Sequence, residues 1–551
     1  MVKFRAKRFI GTVAVVAVAV LLMAASHNDF GLGRNMEIMV NLMRTLSSNY
    51  VDEVDADKML QHGAKGVMES LDPYTVYLSE ADMKEFRRGV TGKYGGIGAL
   101  IRQDSDYVRI AEPYRNSPSD KAGLRIGDKI VAIDGVSVKG VTTSDVSSRL
   151  RGEPNTEVRV TIESVVDGKR RDCRIRRERI TIPSVSYAGF VADGVGYIVH
   201  SDFTERCYDE MRAAIEGLQQ SGNLRYLILD YRNNGGGVLQ SAVKVLSLFL
   251  PKGTTVVDVK GRVKADNHTY KTEYEPIAAD IPLAVLINRN SASAAEILAG
   301  ALQDADRAVI LGQRSFGKGL VQSTFPVGFN NFVKVTTAKY YIPSGRCVQA
   351  LRYKEDGSAE TLPDSLRKEF RTHNGRKVFD GGGIMPDIET KAEQLSPFAF
   401  TLFVKNLYSD FGDRYYAKNP SQKIDPATFA LTDADYADFK SLVLERKIDY
   451  RSPSRAALES LRKKLAEEQL AEGCKAALQQ VEGVLNEDIE SLLERYRTEC
   501  ERLICSDVVL RYCYGDGLIA WQSRSDNEIK RAVEVVRDGE QMRKILNPAV
   551  E

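Results

Sequence analysis

The segment LAVLINRNSASAAEILAG, residues 283–300, changes from the pattern of a strand to the pattern of a helix. Its first five residues are apolar, which is typical of a buried strand, and its alanine- and leucine-rich end is typical of a helix. Two serines, Ser291 and Ser293, lie where the strand pattern ends. A serine at such a position either caps the helix or acts as a nucleophile, so the function of the protein depends on which role it has.

The spacing around the second serine supports both roles. Ser293 and Glu296 form the Ser-x-x-Glu pattern of a capping box, in which two side chains satisfy main-chain N–H groups at a helix start. The position also suits catalysis, because the N-terminus of a helix is positive and the N–H of Ala294 could stabilise an oxyanion. Capping and catalysis are compatible in geometry, so the pattern alone leaves both open.

A serine nucleophile needs a base that takes its proton. The five histidines stand in no motif of a catalytic triad, although His200 follows an apolar run and could approach the serine. A better candidate is Lys318 in GQRSFGKGLVQ (residues 312–322), which lies between two glycines after another apolar run. A lysine acts as a base only when it is neutral, which requires burial to lower its pKa by several units from about 10.4.

The same segment also matches the beginning of a phosphate-binding loop, G-x-x-x-x-G-K. Gly319 stands where that loop needs serine or threonine to hold magnesium, and the residues that follow predict a strand instead of a helix. Nucleotide binding is therefore the weaker alternative, and stabilisation of the protein by ATP would support it.

The rest of the chain divides by pattern into helical, strand-rich and mixed regions. Apolar residues near a 3.6-residue period predict helices in residues 35–88, and residues 90–165 are rich in glycine and in strand-forming residues. Residues 180–395 alternate apolar runs with helical stretches, which predicts an α/β domain. Beyond residue 396 the sequence is charged and predicts mostly helices.

The strand-rich region contains SPSDKAGLRIGDKIVAIDG, residues 117–135, which closely resembles the central signature of a PDZ domain. In that family a glycine-rich loop presents main-chain N–H groups to the terminal carboxylate of a peptide, which adds a strand to the sheet. The segment GGIGAL, residues 95–100, is in the matching place; the alternative is a glycine-rich hairpin that binds nothing. The candidate peptide-binding residues are Gly96, Ile97, Gly98 and Ala99.

The segment around the serine and the lysine, residues 286–322, resembles the catalytic segment of the carboxyl-terminal processing proteases, also called tail-specific proteases. Further blocks typical of that family occur in the same order along the chain. They are LDPYTVYL (71–78), LDYRNNGGGVL (229–239), KYYIPSGRCVQ (339–349) and GGGIMPDI (381–388). The one departure is Gly235, where many members have proline, and the resemblance covers roughly residues 35–395.

The resemblance implies a multidomain α/β protein whose core is related to crotonase and Clp protease, with an inserted PDZ domain and a helical C-terminal extension. The implied organisation is a signal peptide or anchor (1–26), an N-terminal helical region (27–88), a PDZ domain (89–168), a Ser/Lys peptidase core (169–395) and the helical extension (396–551).

The resemblance also implies the chemistry of the site. It makes Ser293 the nucleophile, Lys318 the general base and Gln322 the residue that orients the lysine amine. It places one oxyanion donor at Ala294 and the second at Gly236 or Gly237. The reaction is acyl transfer through an acyl-enzyme, and it requires no metal and no cofactor.

The N-terminus has the layout of a secretory signal. Four basic residues precede an apolar run over residues 9–25, and polar sequence begins at Ser26. The run is either cleaved or kept as an anchor in the membrane, and in both cases the body of the protein is expected to be exported, to the periplasm of a bacterium. The membrane is expected to contact the protein through this segment alone.

Composition limits the partners. With 77 basic and 75 acidic residues the net charge is +2, which gives no reason to expect nucleic acid as a partner. The expected partners are protein or peptide substrates with free C-termini. The helices after residue 396 are either an extension that packs on the core or a surface for a homodimer or an adaptor protein. A PDZ adaptor with a decayed protease core is the alternative to the enzyme.

The seven cysteines are scattered and form no Cys-x-x-Cys pair, so a zinc or thioredoxin-like site is a poor interpretation. Export would permit disulfides, and the cysteines between residues 500 and 513 could form one. The sequence leaves this open.

Overall fold

A computed structural model of the protein describes residues 27–354, 358–485 and 488–547. The segment predicted to be a signal peptide or an anchor, residues 1–26, lies outside the described residues. Among the helices that are described, none is both long and apolar enough to cross a membrane. All seven cysteines are described, and each is a free thiol.

The chain divides into two compact units. The first consists of the residues up to 80 together with 322–336 and 353–359, and the remaining residues form the second. The first unit begins with helices α1 (His27–Asn49) and α2 (Ala56–Glu69). These helices confirm the helical pattern of the N-terminal region.

The Leu-Asp-Pro stretch ends this helical pattern with a turn. One side-chain oxygen of Asp72, Oδ1, accepts the main-chain N–H groups of Tyr74 and Thr75 at 2.8 Å each, which is the Asx turn that aspartate favours. Strand β1 (Val76–Leu78) follows and pairs antiparallel with residues 332–334 of the same unit. The region predicted to be helical therefore also contains a strand.

The second unit begins within α3 (Glu80–Thr91), which leads into a small antiparallel β-domain. Its elements are β2 (Lys93–Gly96), β3 (Ala99–Asp104), β4 (Tyr107–Pro113), α4 (Pro118–Lys121), β5 (Lys129–Ile133), β6 (Val136–Ser137), α5 (Thr143–Leu150), β7 (Glu157–Glu163), β8 (Arg170–Arg176) and β9 (Glu178–Thr181). The main sheet has the order β3-β4-β5-β7-β8, and β2 pairs with β9. Val108, Ile110, Ile130 and Val160 are completely buried in its core.

The mixed region, residues 185–389, contains a six-stranded sheet and further strands outside that sheet. Its elements are β10 (Val185–Ala192), β11 (Val195–His200), α6 (Cys207–Gln220), β12 (Tyr226–Asp230), α7 (Leu239–Leu246), β13 (Thr255–Gly261), β14 (His268–Lys271), β15 (Leu283–Ile287), α8 (Ala294–Asp304), β16 (Val309–Gly312), β17 (Leu320–Gly328), β18 (Asn331–Tyr341), β19 (Leu351–Tyr353), β20 (Ala359–Thr361), β21 (Glu369–Arg371), β22 (Lys377–Phe379) and β23 (Ile388–Glu389).

The sheet order is β10-β11-β12-β15-β16-β23, and every pair after the first is parallel. Residue Asp230 of β12 lies opposite Leu286 of β15, and Ile287 lies opposite Gly312 of β16. Because parallel strands end at the same edge of a sheet, the loops that follow these three strands begin side by side. Those loops carry the three glycines 235–237, called the glycine turn below, then Ser293 and Lys318.

The chain after residue 396 is helical, as predicted. Its helices are α9 (Pro397–Val404), α10 (Leu407–Lys418), α11 (Asp433–Glu445), α12 (Pro453–Glu467), α13 (Ala471–Leu485), α14 (Ile489–Arg495), α15 (Arg497–Ser523), α16 (Asn527–Arg537) and α17 (Gly539–Leu546). The first helices of this region share a separate core in which Phe398, Phe439 and Leu493 are completely buried.

The last helices, α16 and α17, pack instead on the six-stranded sheet of the mixed region. Helices α6, α7 and α8 cover one face of that sheet. The other face is covered by α16, whose apolar side chains Ile529, Ala532, Val535 and Val536 pack against the strands. A parallel sheet is apolar on both faces and must be covered on both. Part of the region expected as an extension is therefore a layer of the sheet domain.

The β-domain and the helical domain are joined by buried charges. The Arg511 side chain is 1% exposed and donates to Asp413 Oδ1 at 2.7 Å and to the carbonyl of Ile126 at 3.2 Å. Asp413 Oδ2 also accepts Arg109 at 2.8 Å. These bonds hold the β-domain on α10 and α15.

Candidate active site

The two serines before α8 have different environments. Ser291 is completely buried, and its hydroxyl donates to the carbonyl of Tyr231 at 2.8 Å and accepts the N–H of Asn288 at 2.8 Å. The first of these hydrogen bonds connects the serine loop to the residue after β12. Ser293 is half-buried, and its φ of 57° lies in the left-handed region, which residues other than glycine rarely adopt.

The start of α8 leaves one donor unused. Helical hydrogen bonds begin with the N–H of Ala295, and the buried N–H of Ala294 has no acceptor among the residues that the structure describes. The positive end of the helix dipole lies at the same place. An oxygen that becomes negative beside Ser293 would therefore meet a ready donor.

Glu296 joins the serine loop to the lysine loop. Its carboxylate is completely buried, and Oε2 accepts the main-chain N–H groups of Ser293 and Lys318 at 2.8 Å each. Its Oε1 accepts the N–H of Gly317 at 2.7 Å and the hydroxyl of Ser315 at 2.6 Å. Because one oxygen accepts both N–H groups, the main-chain nitrogens of Ser293 and Lys318 lie no further apart than twice 2.8 Å.

Two opposing effects act on the pKa of this carboxylate. Burial raises the pKa of Glu296 to about 7, although the bonds from Ser315 and from the N–H of Lys318 act in the opposite direction. Only the ionised form has two oxygens that can each accept two hydrogen bonds.

A tyrosine provides a second link between the two loops. The hydroxyl of Tyr340, in β18, contacts the carbonyl of Ser293 at 3.1 Å and also the carbonyl of Lys318. The side chain is 1% exposed. The nucleophile candidate and the base candidate are thus tied together through both their N–H and their C=O groups.

The glycine turn packs directly against the serine. Gly236 has a φ of 101°, and a Cβ at this position would lie 2.8 Å from Ser293 Cβ and 2.9 Å from the nitrogen of Ala294. The N–H of Gly236 donates to Asn234 Oδ1 at 2.9 Å. The N–H of Gly237 has no acceptor within the described part of the chain, so it is the donor that this turn leaves available.

The other candidates lie in different surroundings. Gln322 belongs to the first compact unit, where its side-chain amide donates to Thr336 Oγ1 at 3.2 Å. His200 is 1% exposed, burial lowers its pKa to about 4, and its Nδ1 lies 3.0 Å from the hydroxyl of Tyr231. His200 is therefore a neutral residue of the core at physiological pH.

The candidate peptide-binding loop, residues 96–99, connects β2 to β3. The carbonyl of Gly98, whose φ is 75°, accepts the hydroxyls of Ser117 and Ser119 at 2.8 and 2.7 Å. The N–H groups of Ile97 and Gly98 have no acceptor among described residues. The loop is fixed through its carbonyl and leaves neighbouring N–H groups available for an anion.

Sequence reasoning recognised Glu296 as a helix-capping residue and missed its bonds to residues 315–318. It also missed Tyr340 and Asn234, although both lie in segments that were singled out by their motifs. The Ser-x-x-Glu spacing signals a local cap, and nothing in it signals the second loop. No group of three or more His, Cys, Asp or Glu side chains in the described ranges is arranged to hold a metal ion.

Three family models match the chain. Peptidase family S41 matches residues 194–359, a PDZ domain matches 109–164, and the C-terminal helical domain of probable PDZ-proteases matches 398–536. These matches cover the sheet domain, the antiparallel β-domain and the helical domain. The protein is a serine-type peptidase with a PDZ domain and a helical C-terminal domain.

Two bacterial proteins resemble the chain over most of their length. A carboxy-terminal-processing protease of Bartonella bacilliformis is 33% identical over 383 residues, which is 67% of this chain and 88% of that protein. A probable CtpA-like serine protease of Staphylococcus aureus strain COL is 33% identical over 362 residues, 64% of this chain and 71% of that protein. The chain belongs to peptidase family S41, the family of the carboxy-terminal-processing proteases.

Among solved structures, a photosystem II D1 C-terminal processing protease is 29% identical, with 59% of this chain and 91% of that chain covered and a TM-score of 0.32.

Proposed function

We propose that the protein cleaves peptide bonds with Ser293 as the nucleophile and Lys318 as the general base. The observation that carries this proposal is the buried carboxylate of Glu296, whose single Oε2 accepts the N–H of both residues at 2.8 Å. The contact of Tyr340 with both carbonyls supports it. Two residues far apart in sequence are held together at the edge of the sheet where the loops begin.

The chemistry follows the roles of a Ser/Lys dyad. The neutral amine of Lys318 accepts the proton of Ser293 Oγ as that oxygen attacks the carbonyl carbon of the scissile bond. The carbonyl oxygen becomes an oxyanion, which the N–H groups of Ala294 and Gly237 stabilise. The lysine ammonium then protonates the leaving amine, and water hydrolyses the acyl-enzyme with Lys318 again acting as the base.

Gln322 orients the amine of Lys318. The sheet domain is a core of the crotonase and Clp protease type; the parallel strands whose loops carry the glycine turn, the serine and the lysine at one edge support this.

Substrates are proteins with free C-termini that the PDZ domain binds. The available N–H groups of Ile97 and Gly98 support carboxylate binding there. Binding of the C-terminus raises the local concentration of the substrate chain near the dyad.

We also propose that the body of the protein is exported to the periplasm of a bacterium, either released or anchored by its N-terminal segment. The basic residues followed by an apolar run over residues 9–25 support export. Mass spectrometry of the N-terminus of the protein from cell fractions tests this. A mature chain in the cytoplasmic fraction that retains residue 1 would contradict export.

The proteolytic proposal is tested with purified protein and two peptides that differ only at the C-terminus, one with an apolar free end and one with an amidated end. We expect cleavage of the first to be faster, and Ser293→Ala and Lys318→Ala to abolish it while peptide binding remains. Lys252→Ala, at an exposed lysine, is the control and should cleave at the parent rate. Cleavage by Ser293→Ala at the parent rate would remove this residue from the mechanism.

A further inference from the structure

The residue that leads into the glycine turn, Arg232, is held by the strand before it. Its guanidinium donates to Asp230 Oδ2 through Nη2 at 2.6 Å and to Oδ1 through Nε at 3.1 Å, which is a bidentate pair. The Asp230 carboxylate also accepts the hydroxyl of Tyr197 at 2.6 Å. The side chain of Arg232 is 17% exposed, so most of this ion pair is shielded from water.

The other end of the same guanidinium reaches the C-terminal region. Nη1 of Arg232 donates to Asp526 Oδ2 at 2.8 Å and to Glu528 Oε2 at 2.6 Å. Asp526 is also the N-cap of α16, because its Oδ1 accepts the N–H groups of Glu528 and Ile529 at 2.8 and 3.0 Å. One aspartate therefore uses one oxygen for the helix and the other for Arg232.

Glu528 contacts the lysine loop as well. Its Oε1 accepts the side-chain amide of Gln313, the first residue after β16, and the hydroxyl of Thr390. A single carboxylate thus contacts Arg232 before the glycine turn and Gln313 before Lys318. Because α16 is packed on the sheet through its apolar face, these carboxylates are held at a fixed place.

The neighbouring carboxylates stabilise the charged form of Arg232. Burial alone would lower the pKa of Arg232, but the neighbouring carboxylates of Asp230 and Asp526 raise it overall. Breaking a buried pair leaves a charge without compensation, which is costly. The guanidinium and the main chain that carries it are therefore held in one position.

Displacement of Arg232 would be transmitted to the oxyanion donors over a few residues. The next residue, Asn233, donates its N–H to Asn288 Oδ1 and accepts Asn288 Nδ2, both at 3.0 Å. After it, Asn234 accepts the N–H of Ala292 at its carbonyl at 3.0 Å and the N–H of Gly236 at Oδ1 at 2.9 Å. The turn and the serine loop form one hydrogen-bonded unit that begins at Arg232.

We propose that Asp526 and Glu528 are positioning residues for peptide hydrolysis. From the start of α16 they hold Arg232, and through it they set the turn that places the N–H of Gly237 beside the nucleophile. Activity therefore requires a helix whose first residues lie more than 290 residues away from Arg232 in sequence. This rests on the proposed function, because the oxyanion donor belongs to that mechanism.

The test is the double variant Asp526→Asn/Glu528→Gln in the full-length protein. Asparagine is as good an N-cap as aspartate, so α16 keeps its cap while both charges are removed. Loss of one oxyanion donor costs about 10²–10³ in kcat. A displaced donor still stabilises the oxyanion in part. We therefore expect kcat per active site to fall about 10- to 100-fold, with KM within about twofold of the parent value.

The matched control is Glu534→Gln, which makes the same chemical change on the same helix. Glu534 pairs with Arg531 at 2.7 Å at the surface, and this variant should keep the parent kcat and KM. Active sites are counted by titration with a fluorophosphonate, so that misfolded molecules do not enter kcat. If the double variant does not fold, the single variants Asp526→Asn and Glu528→Gln are measured, and each should lower kcat by less than the pair.

A purely structural role would lower the melting temperature and the number of active sites while kcat per site stayed at the parent value. That result, or an unchanged enzyme, would overturn the inference. Ser293→Ala is measured in parallel: if it is inactive while the double variant keeps its kcat per site, the inference fails and the proposed function stands. If Ser293→Ala cleaves at the parent rate, the proposed function itself fails.

Discussion

Replacing Glu296 with glutamine removes one of the two oxygens that hold the serine and lysine loops together. The carboxylate accepts four hydrogen bonds, two at each oxygen. An amide has one acceptor oxygen, so in either orientation two donors face an NH2 group or must turn away. A hydrogen bond to a charged group contributes about 1.5–3 kcal/mol, so the loss of two should destabilise this region by roughly 3–6 kcal/mol.

This loss is measured as hydrogen exchange of residues 293–296 and 315–318. The measurement is made at pH 8, above the Glu296 pKa of about 7, so that the parent is ionised. At 1.36 kcal/mol per tenfold change, we expect exchange about 10²- to 10⁴-fold faster in Glu296→Gln, in the Ser293→Ala background to prevent self-digestion. In the active background kcat should fall at least about tenfold, because the geometry of the two loops is no longer fixed.

The same substitution at a surface carboxylate, Glu216→Gln on α6, whose side chain is 40% exposed and pairs with Arg212, is the control and should change neither quantity. If Glu296→Gln kept the protection of both loops and the parent kcat, the shared carboxylate would not be what holds the serine beside the lysine. Ser293 and Lys318 would then lose their assignment as nucleophile and base.

Gly236→Ala should lower kcat at least about 100-fold, because its Cβ would lie 2.8 Å from Ser293 Cβ at a φ of 101°, whereas Gly235→Ala, with no atom within 4 Å, should retain activity; equal steady-state rates would contradict this. Tyr340→Phe keeps the ring but removes the hydroxyl that contacts the carbonyl of Ser293, so kcat should fall about tenfold and stability by about 1–2 kcal/mol, measured by activity and urea unfolding. Because burial lowers the pKa of His200 to about 4 from 6.5, the unfolded chain binds a proton there that the folded chain does not between these pH values. The free energy of unfolding should therefore be highest above pH 6.5 and fall by about 3 kcal/mol as the pH decreases to 4. Urea unfolding of His200→Gln should lack this part of the pH dependence.

Much of the architecture was predictable because its signals are local. The apolar runs at residues 226–229 and 283–287 are neighbouring strands of the sheet, and the charged region after 396 is helical. The capping pattern at Ser293 was also correct in part, since its N–H bonds to Glu296. Periodicity and capping depend on residues a few positions apart, so they can be recognised in a single sequence.

The linkage of the loops was not predictable. Nothing local distinguishes Glu296 as a simple cap from Glu296 as the acceptor of the lysine loop, because its other partners lie 19–22 residues further on. The helical pattern of residues 527–537 likewise predicts an amphipathic helix without indicating which surface buries its apolar face.

The sequence by itself determined the parts of this protein: the strands, the helix that begins after Ser293, the glycine turn and the order of the domains along the chain. Only the tertiary structure decided how the parts meet, with Glu296 between the serine and lysine loops and Asp526 beside Arg232. The physical reason is that an element forms from the preferences of neighbouring residues. Buried polar groups, in contrast, take whichever partner the packing of distant elements brings within hydrogen-bonding distance.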